Sequence, residues 1–132
     1  MKRFLAMLVV AALAIPAVAW SADAIKVGVL SDLSGPTSDV GRPYADGIKA
    51  AGSWLNSQGG VAGRQLDLIQ VDYAYNVQQA LSAYKNFLSK GIVAMQGWGT
   101  GDTEALVQFV AKDKIPTFSA SYSAHLTDPA KA

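Results

Sequence analysis

The sequence predicts an α/β fold: a parallel sheet with helices on both faces. Three observations carry that expectation. Short apolar runs rich in β-branched residues recur along the chain, stretches with helical apolar spacing separate them, and the connections between the two are short. Strands in such an order pair in parallel only through crossovers, and helical crossovers cover a sheet.

Residues 25–30 (IKVGVL) form the first strand, closed by the turn-forming Ser31-Asp32-Leu33-Ser34-Gly35-Pro36. Tyr44, Ile48, Ala51 and Leu55 then fall at i, i+4, i+7 and i+11, one stripe of a helix that Gly59-Gly60 stops, with Pro43 placed in its first turn. Residues 65–73 make a second strand with mixed faces. Asn76 caps a helix whose stripe is Val77, Ala80, Leu81, Tyr84, Phe87 and Leu88, and Gly91 ends it. Residues 92–95 make the third strand. Residues 103–112 set Ala105, Leu106, Phe109 and Val110 on one helix face, and residues 115–119 make a fourth strand. That last strand is an apolar sheet edge that further strands would cover.

Ahead of this alternation lies a targeting signal. Lys2 and Arg3 precede an apolar stretch over residues 4–15, Pro16 breaks it, and Ala17-Val18-Ala19 supplies the small residues that a signal peptidase needs, so residues 1–19 are expected to be removed. The stretch is short for a membrane span. The chain has no cysteine, which excludes a lipid-modified signal, disulfides and thiol chemistry, and leaves an exported chain to be held by packing alone. At 51% hydrophobic and 16% charged over 132 residues it fits one small globular domain or part of a larger one. Loss of Lys2 and Arg3 leaves nine of eleven basic side chains against ten acidic ones, a net charge of −1, so there is no basic footprint for nucleic acid.

The stretch QGWGTGDTEAL, residues 96–106, raises the question of a phosphate cradle. Its glycines, Gly97, Gly99 and Gly101, run G-x-G-x-G where a dinucleotide fingerprint would need G-x-G-x-x-G, no Gly-Lys-Ser/Thr follows, and the loop follows the third strand instead of the first. Asp102, read here as the helix N-cap, would compete with an incoming anion. Asp72 does stand where a ribose-binding acid would, at the end of the second strand, but without the glycines after strand one. In open α/β sheets ligands bind beyond the carboxyl ends of the strands. Four segments meet there, 31–41, 73–76, 97–102 and 119–125, and they carry Ser31, Ser34, Thr37, Ser38, Thr100, Ser119, Ser121 and Ser123 with Arg42 as the one guanidinium nearby.

The strand at 25–30 with Leu33-Ser34-Gly35-Pro36, then Gly41, Gly47, Asn56, Gly59-Gly60-Val61-Ala62-Gly63-Arg64, the strand to Asp72, Ile115-Pro116 and residues 119–126 together resemble the opening of type I periplasmic solute-binding proteins of the branched-chain amino acid transport family. The resemblance implies two α/β lobes joined by a hinge, a solute held in the cleft between them, and delivery to an ABC permease in the inner membrane with cytoplasmic ATPases. It also implies a periplasmic location, a monomer when complete, and no metal or cofactor. It covers about the first third of such a protein, which makes residues 20–132 part of the N-terminal lobe.

Carried over residue by residue, the resemblance assigns ligand-carboxylate contacts to backbone N–H groups and hydroxyls at Thr100, Gly101, Ser121 and Ser123, with Ser119 beside them. The glycine loop then serves a small carboxylate or amide without phosphate machinery. Many relatives carry a hydroxyl where Gly101 stands and an aromatic where Val40 stands; both departures argue against an aliphatic amino acid. Trp98 and Tyr122 add aromatic surface on which a larger solute would stack, although Trp98 equally suits packing between loop and lobe.

The single histidine, His125, has no carboxylate or cysteine companion in its loop and reads as a surface residue, and no nucleophile has a positioned base. The expected function is therefore solute binding for an importer. The alternatives are a ligand-sensing receptor domain built from the same lobes and an exported α/β enzyme.

Overall fold

A computed structural model describes residues 23–127; the expected signal segment, residues 1–19, and its expected cleavage point lie outside the described residues. Four strands and three helices alternate: β1 (Ile25–Ser31), α1 (Ser38–Ser57), β2 (Leu66–Asp72), α2 (Val77–Ser89), β3 (Ala94–Gln96), α3 (Thr100–Asp113) and β4 (Thr117–Phe118), followed by a 3₁₀ turn at Ala124–Thr127. All pairings are parallel and the strand order is β2-β1-β3-β4. Strand order therefore reverses at β1, and the β1–β3 gap is the topological switch point where α/β sheets open a crevice.

Two glycine contacts set the layers. A side chain on Gly28 of β1 would meet the Phe87 ring of α2 at 2.6 Å, and one on Gly52 of α1 would meet Leu68 of β2 at 2.6 Å. Gly28 pairs with Ile69 and Leu68 with Val27, so these contacts lie on opposite faces of the sheet. Thus α1 covers one face while α2, with α3 beside it, covers the other. The core fills the second interface: Leu30, Tyr73, Ala80, Ala83, Tyr84, Phe87, Ile92, Met95 and Leu106 form one buried cluster. Full burial of a side chain such as Phe87 contributes about 1.5–3 kcal/mol.

The helix caps follow their chemistry. Asn76 accepts the Gln79 N–H at 3.1 Å, and Gly91, just beyond α2, takes a positive φ of 76°. Five details depart from the sequence expectation. Helix α1 begins at Ser38, so Pro43 lies inside it; Pro43 is exposed, and solvent can take the Asp39 carbonyl left without its i+4 donor. Its buried face runs through Gly41, Ala45 and Gly52, which leaves Ala51 exposed. On α3 the buried positions Asp102 and Leu106 set the face, and Phe109 is exposed. β3 starts two residues late because the Ile92 N–H bonds Phe87 O to close α2, and β4 is only two residues long because Ile115 N–H bonds Val110 O to close α3.

Candidate functional site

The carboxyl ends of β1 and β3 lie side by side, and the loops that leave them are built around carboxylates. Asp32 is fully buried; one oxygen accepts the Gly35 N–H at 2.6 Å and the other accepts the Thr37 N–H at 2.8 Å and hydroxyl at 2.7 Å. Asp72, at the end of β2, clamps the same loop from outside by accepting the Leu33 N–H at 2.9 Å, the Ala74 N–H at 3.0 Å and the Ser34 hydroxyl at 2.6 Å. Desolvation alone would raise its pKa, but those three donors outweigh it and hold the carboxyl below the usual aspartate value. The acid that stands in a ribose-binding position is thus spent on fixing the loop.

The glycine loop between β3 and α3 is shaped by close approach. A side chain on Gly99 would come within 2.6 Å of Asp102 Oδ1 and of the Tyr75 ring, and within 2.8 Å of the Tyr73 hydroxyl. Gly99, not Asp102, is the N-cap of α3; Asp102 sits in the first turn, turned inward, where Oδ1 accepts the Tyr73 hydroxyl at 2.7 Å. Its carboxyl is buried and its pKa is raised, with burial outweighing the Tyr73 hydrogen bond. The N-cap expectation fails because the Tyr73 hydroxyl offers a buried partner that a capping geometry would forgo. On Gly101, by contrast, a side chain would meet nothing nearer than Val77 Cγ2 at 3.5 Å. Packing leaves the backbone at Gly101 open.

Residues 119–123 run alongside the start of α3 and are stapled to it by hydroxyls. Ser119 shares a hydrogen bond with Thr103 at 2.6 Å, the Ser121 hydroxyl donates to Thr100 Oγ1 at 3.0 Å, and the Ser123 hydroxyl donates to Glu104. Backbone N–H groups continue the ladder: Ser121 N–H to Ser119 Oγ and Ser123 N–H to Ser121 Oγ, each at 3.1 Å. The direction matters. Ser121 and Ser123 spend their protons internally, while no acceptor for the Thr100 hydroxyl proton stands among the described residues. Beside it are the first-turn N–H groups of α3, which a helix leaves without intrahelical partners. Together they make a donor cluster for a carboxylate or amide oxygen.

The expected site residues therefore divide. Thr100, Gly101, Ser119, Ser121 and Ser123 come together at the carboxyl ends of β3 and β4. Trp98 is half-buried between the loops: its indole N–H donates to Thr37 Oγ1 at 2.9 Å and its ring lies 4.9 Å from that of Tyr44, whose hydroxyl accepts the Gln96 amide at 2.5 Å. Val40 lies one turn before Tyr44 on α1 and is 57% exposed, and the Tyr122 side chain is fully exposed. A groove of about 660 Å³ opens beside β4; Leu106, Val110, Ile115, Phe118 and Leu126 line it, with the three serines along its rim. His125 is exposed, as its sequence context implied, but its Nδ1 lies 3.7 Å from Glu104.

Sequence reasoning missed Glu104 and Asp32. The signal for Glu104 was its i+4 spacing from Thr100, which puts both on one helix face.

Comparison with known proteins follows from this geometry. The model of a family described as periplasmic binding protein matches residues 24–132. A Leu/Ile/Val-binding protein of Escherichia coli strain K12 is 32% identical over 71 residues, 54% of this chain and 19% of that protein. A Leu/Ile/Val-binding protein homolog 7 of Brucella abortus is 37% identical over 94 residues, 71% of this chain and 23% of its own length. Among solved structures, an ABC transporter substrate-binding protein of Aeropyrum pernix is 43% identical with a TM-score of 0.74, covering 80% of this chain and 29% of that one. A branched-chain amino acid transporter substrate-binding protein of Streptococcus pneumoniae, solved with isoleucine, is 26% identical with a TM-score of 0.74 and covers 79% of this chain and 31% of its own. The chain thus spans less than a third of the length of each of these relatives.

Proposed function

The chain belongs to the periplasmic binding protein family, and on that premise we propose that it is part of the extracytoplasmic solute-binding component of an ABC importer, taking a small amino acid, amide or carboxylate in a cleft between two lobes. The observation that carries this reading is the donor cluster at the start of α3. There the Thr100 hydroxyl and open backbone N–H groups stand at the carboxyl end of the sheet, with Ser121 and Ser123 fixing the hydroxyl's orientation. An oxygen of the solute would accept from that cluster, and a second lobe would close over it.

Among the described residues Arg42 is the guanidinium near this edge, and its Nε–H donates to the Leu33 carbonyl. At Ser123 the serine hydroxyl donates to Glu104 and the His125 Nδ1 approaches that same carboxylate at 3.7 Å, so the imidazole is not placed as a base for the serine. The rest of the reading is that residues 1–19 direct export and are cleaved after Ala19, that residues 20–132 form part of the N-terminal lobe, and that a membrane permease with cytoplasmic ATPases receives the loaded form.

Titration calorimetry of the full-length protein with small amino acids, amides and carboxylates tests the reading. Saturable binding of at least one of them, weakened by Thr100→Val, is the expected result. Absence of binding across the set, or an unchanged affinity in the variant, would contradict it.

A further inference from the structure

Trp98 is fixed more firmly than a half-buried loop residue needs to be. Its indole N–H is taken by Thr37 Oγ1, and the Thr37 hydroxyl proton is itself taken by the buried Asp32 carboxylate, so the oxygen lone pair that faces the indole cannot turn away. The Tyr44 ring lies beside it, 4.9 Å away and tilted by 50°, and Tyr44 is held in turn by Gln96 from β3. Residues from β3, the loop after β1 and α1 therefore determine one rotamer.

The position of the ring gives that rigidity a consequence. Thr37 follows β1 and Trp98 follows β3, and these strands flank the switch point. The indole bridges the mouth of the crevice where an α/β sheet would otherwise admit a ligand between its first-strand and third-strand loops. The donor cluster at Thr100 and Gly101 starts two residues farther along the chain, on the β4 side of the ring.

We propose that Trp98 is a specificity-determining residue: a fixed wall that closes the crevice between the β1 and β3 loops, confines the solute to the β3–β4 side, and limits the bulk that the solute can carry beyond the oxygen held at Thr100. This rests on the solute-binding reading above. It differs from a stacking role, because the ring is already held in a tilted pair with Tyr44 and by its polar edge on Thr37, and a wall limits bulk where a stacking platform would favour it. It differs from a bracing role as well, because a brace alone would change affinity for all solutes together.

The test compares matched pairs of probes that share a head group and differ in bulk: L-alanine with L-phenylalanine, acetate with phenylacetate, and acetamide with phenylacetamide. Each is titrated against the full-length protein and its Trp98→Ala, Trp98→Leu and Thr37→Val variants. For the pairs that wild type binds, Trp98→Ala and Trp98→Leu should raise the preference for the phenyl member by about tenfold or more, the scale of a pocket that gains or loses a few methylenes. Thr37→Val keeps the ring but frees its edge, and should move the preference the same way by less. A preference that rises less than about threefold in both Trp98 variants, or falls as a stacking role would require, overturns the proposal. Should wild type bind neither member of any pair, this proposal falls, while the solute-binding reading is decided separately by the wider set of small amino acids, amides and carboxylates, so the two failures are distinguishable.

Discussion

The Tyr73 hydroxyl donates to Asp102 Oδ1 across 2.7 Å, with both residues buried, and so ties the end of β2 to the first turn of α3. The second carboxylate oxygen has no partner among the described residues. Such a group is penalised by its burial and stabilised by the Tyr73 hydroxyl together with backbone N–H groups of its own loop.

Tyr73→Phe should therefore destabilise the fold by about 1–3 kcal/mol, since it takes from a buried carboxylate its side-chain donor. The pH dependence has a definite sign. Burial raises the Asp102 pKa above the ordinary 3.8, so its unfavourable contribution is absent below that value and grows as pH rises through the folded-state value. Urea unfolding of wild type and Asp102→Asn across that range should show the difference between them shifting in favour of the asparagine variant as pH rises, then levelling off. A difference independent of pH would mean that Asp102 is not the titrating group.

Asp72 predicts the opposite trend. Its pKa lies below 3.8 in the fold, so its contribution is fully present above 3.8 and is lost as pH falls through the folded-state value. Asp72→Asn should cost about 0.5–1 kcal/mol at neutral pH, a small figure because Asp72 is exposed, since an amide accepts through one oxygen where the carboxylate accepts through two. The gap to wild type should close in acid. Chemical denaturation at both pH values measures it.

The last two glycines of the α3 loop, Gly99 and Gly101, should separate stability from binding. Gly99→Ala puts a methyl within 2.6 Å of Asp102 and Tyr75, and should lower stability by about 1–3 kcal/mol, as overpacking does. Gly101→Ala meets no close neighbour and should leave the melting temperature nearly unchanged while weakening solute binding. Thermal unfolding and calorimetry on the pair check both halves.

Ser121→Ala and Ser123→Ala remove rungs of the ladder that orients Thr100. Each should weaken solute binding by about 1–3 kcal/mol, the cost of a lost buried or charge-assisted hydrogen bond. Affinity that is unchanged in both variants would place the solute elsewhere.

Most of the fold is legible in the sequence because local rules and tertiary structure agree there. The β-rich run at 25–30 and the Asn76 cap are reproduced, and of the stripe from Val77 to Leu88 the residues Ala80, Tyr84 and Phe87 are buried. Agreement fails where a distant partner outweighs a local preference. Asp102 has the right chemistry for an N-cap, but Tyr73, 29 residues away, draws it into the first turn. Pro43 reads as a helix start, yet α1 begins five residues earlier. The hydroxyl-rich edge is legible as composition. Which hydroxyl keeps a free proton is not, because that depends on Ser121 meeting Thr100 across 21 positions of sequence.

The central claim is that a solute oxygen is received at the start of α3. A crystal structure of the full-length protein with bound solute tests it most directly. The account predicts a carboxylate or amide oxygen within hydrogen-bonding distance of both Thr100 Oγ1 and the Gly101 N–H, with the Trp98 ring still on Thr37 and Tyr44. A solute lodged instead between the β1 and β3 loops, with Trp98 displaced and Thr100 uncontacted, would contradict it.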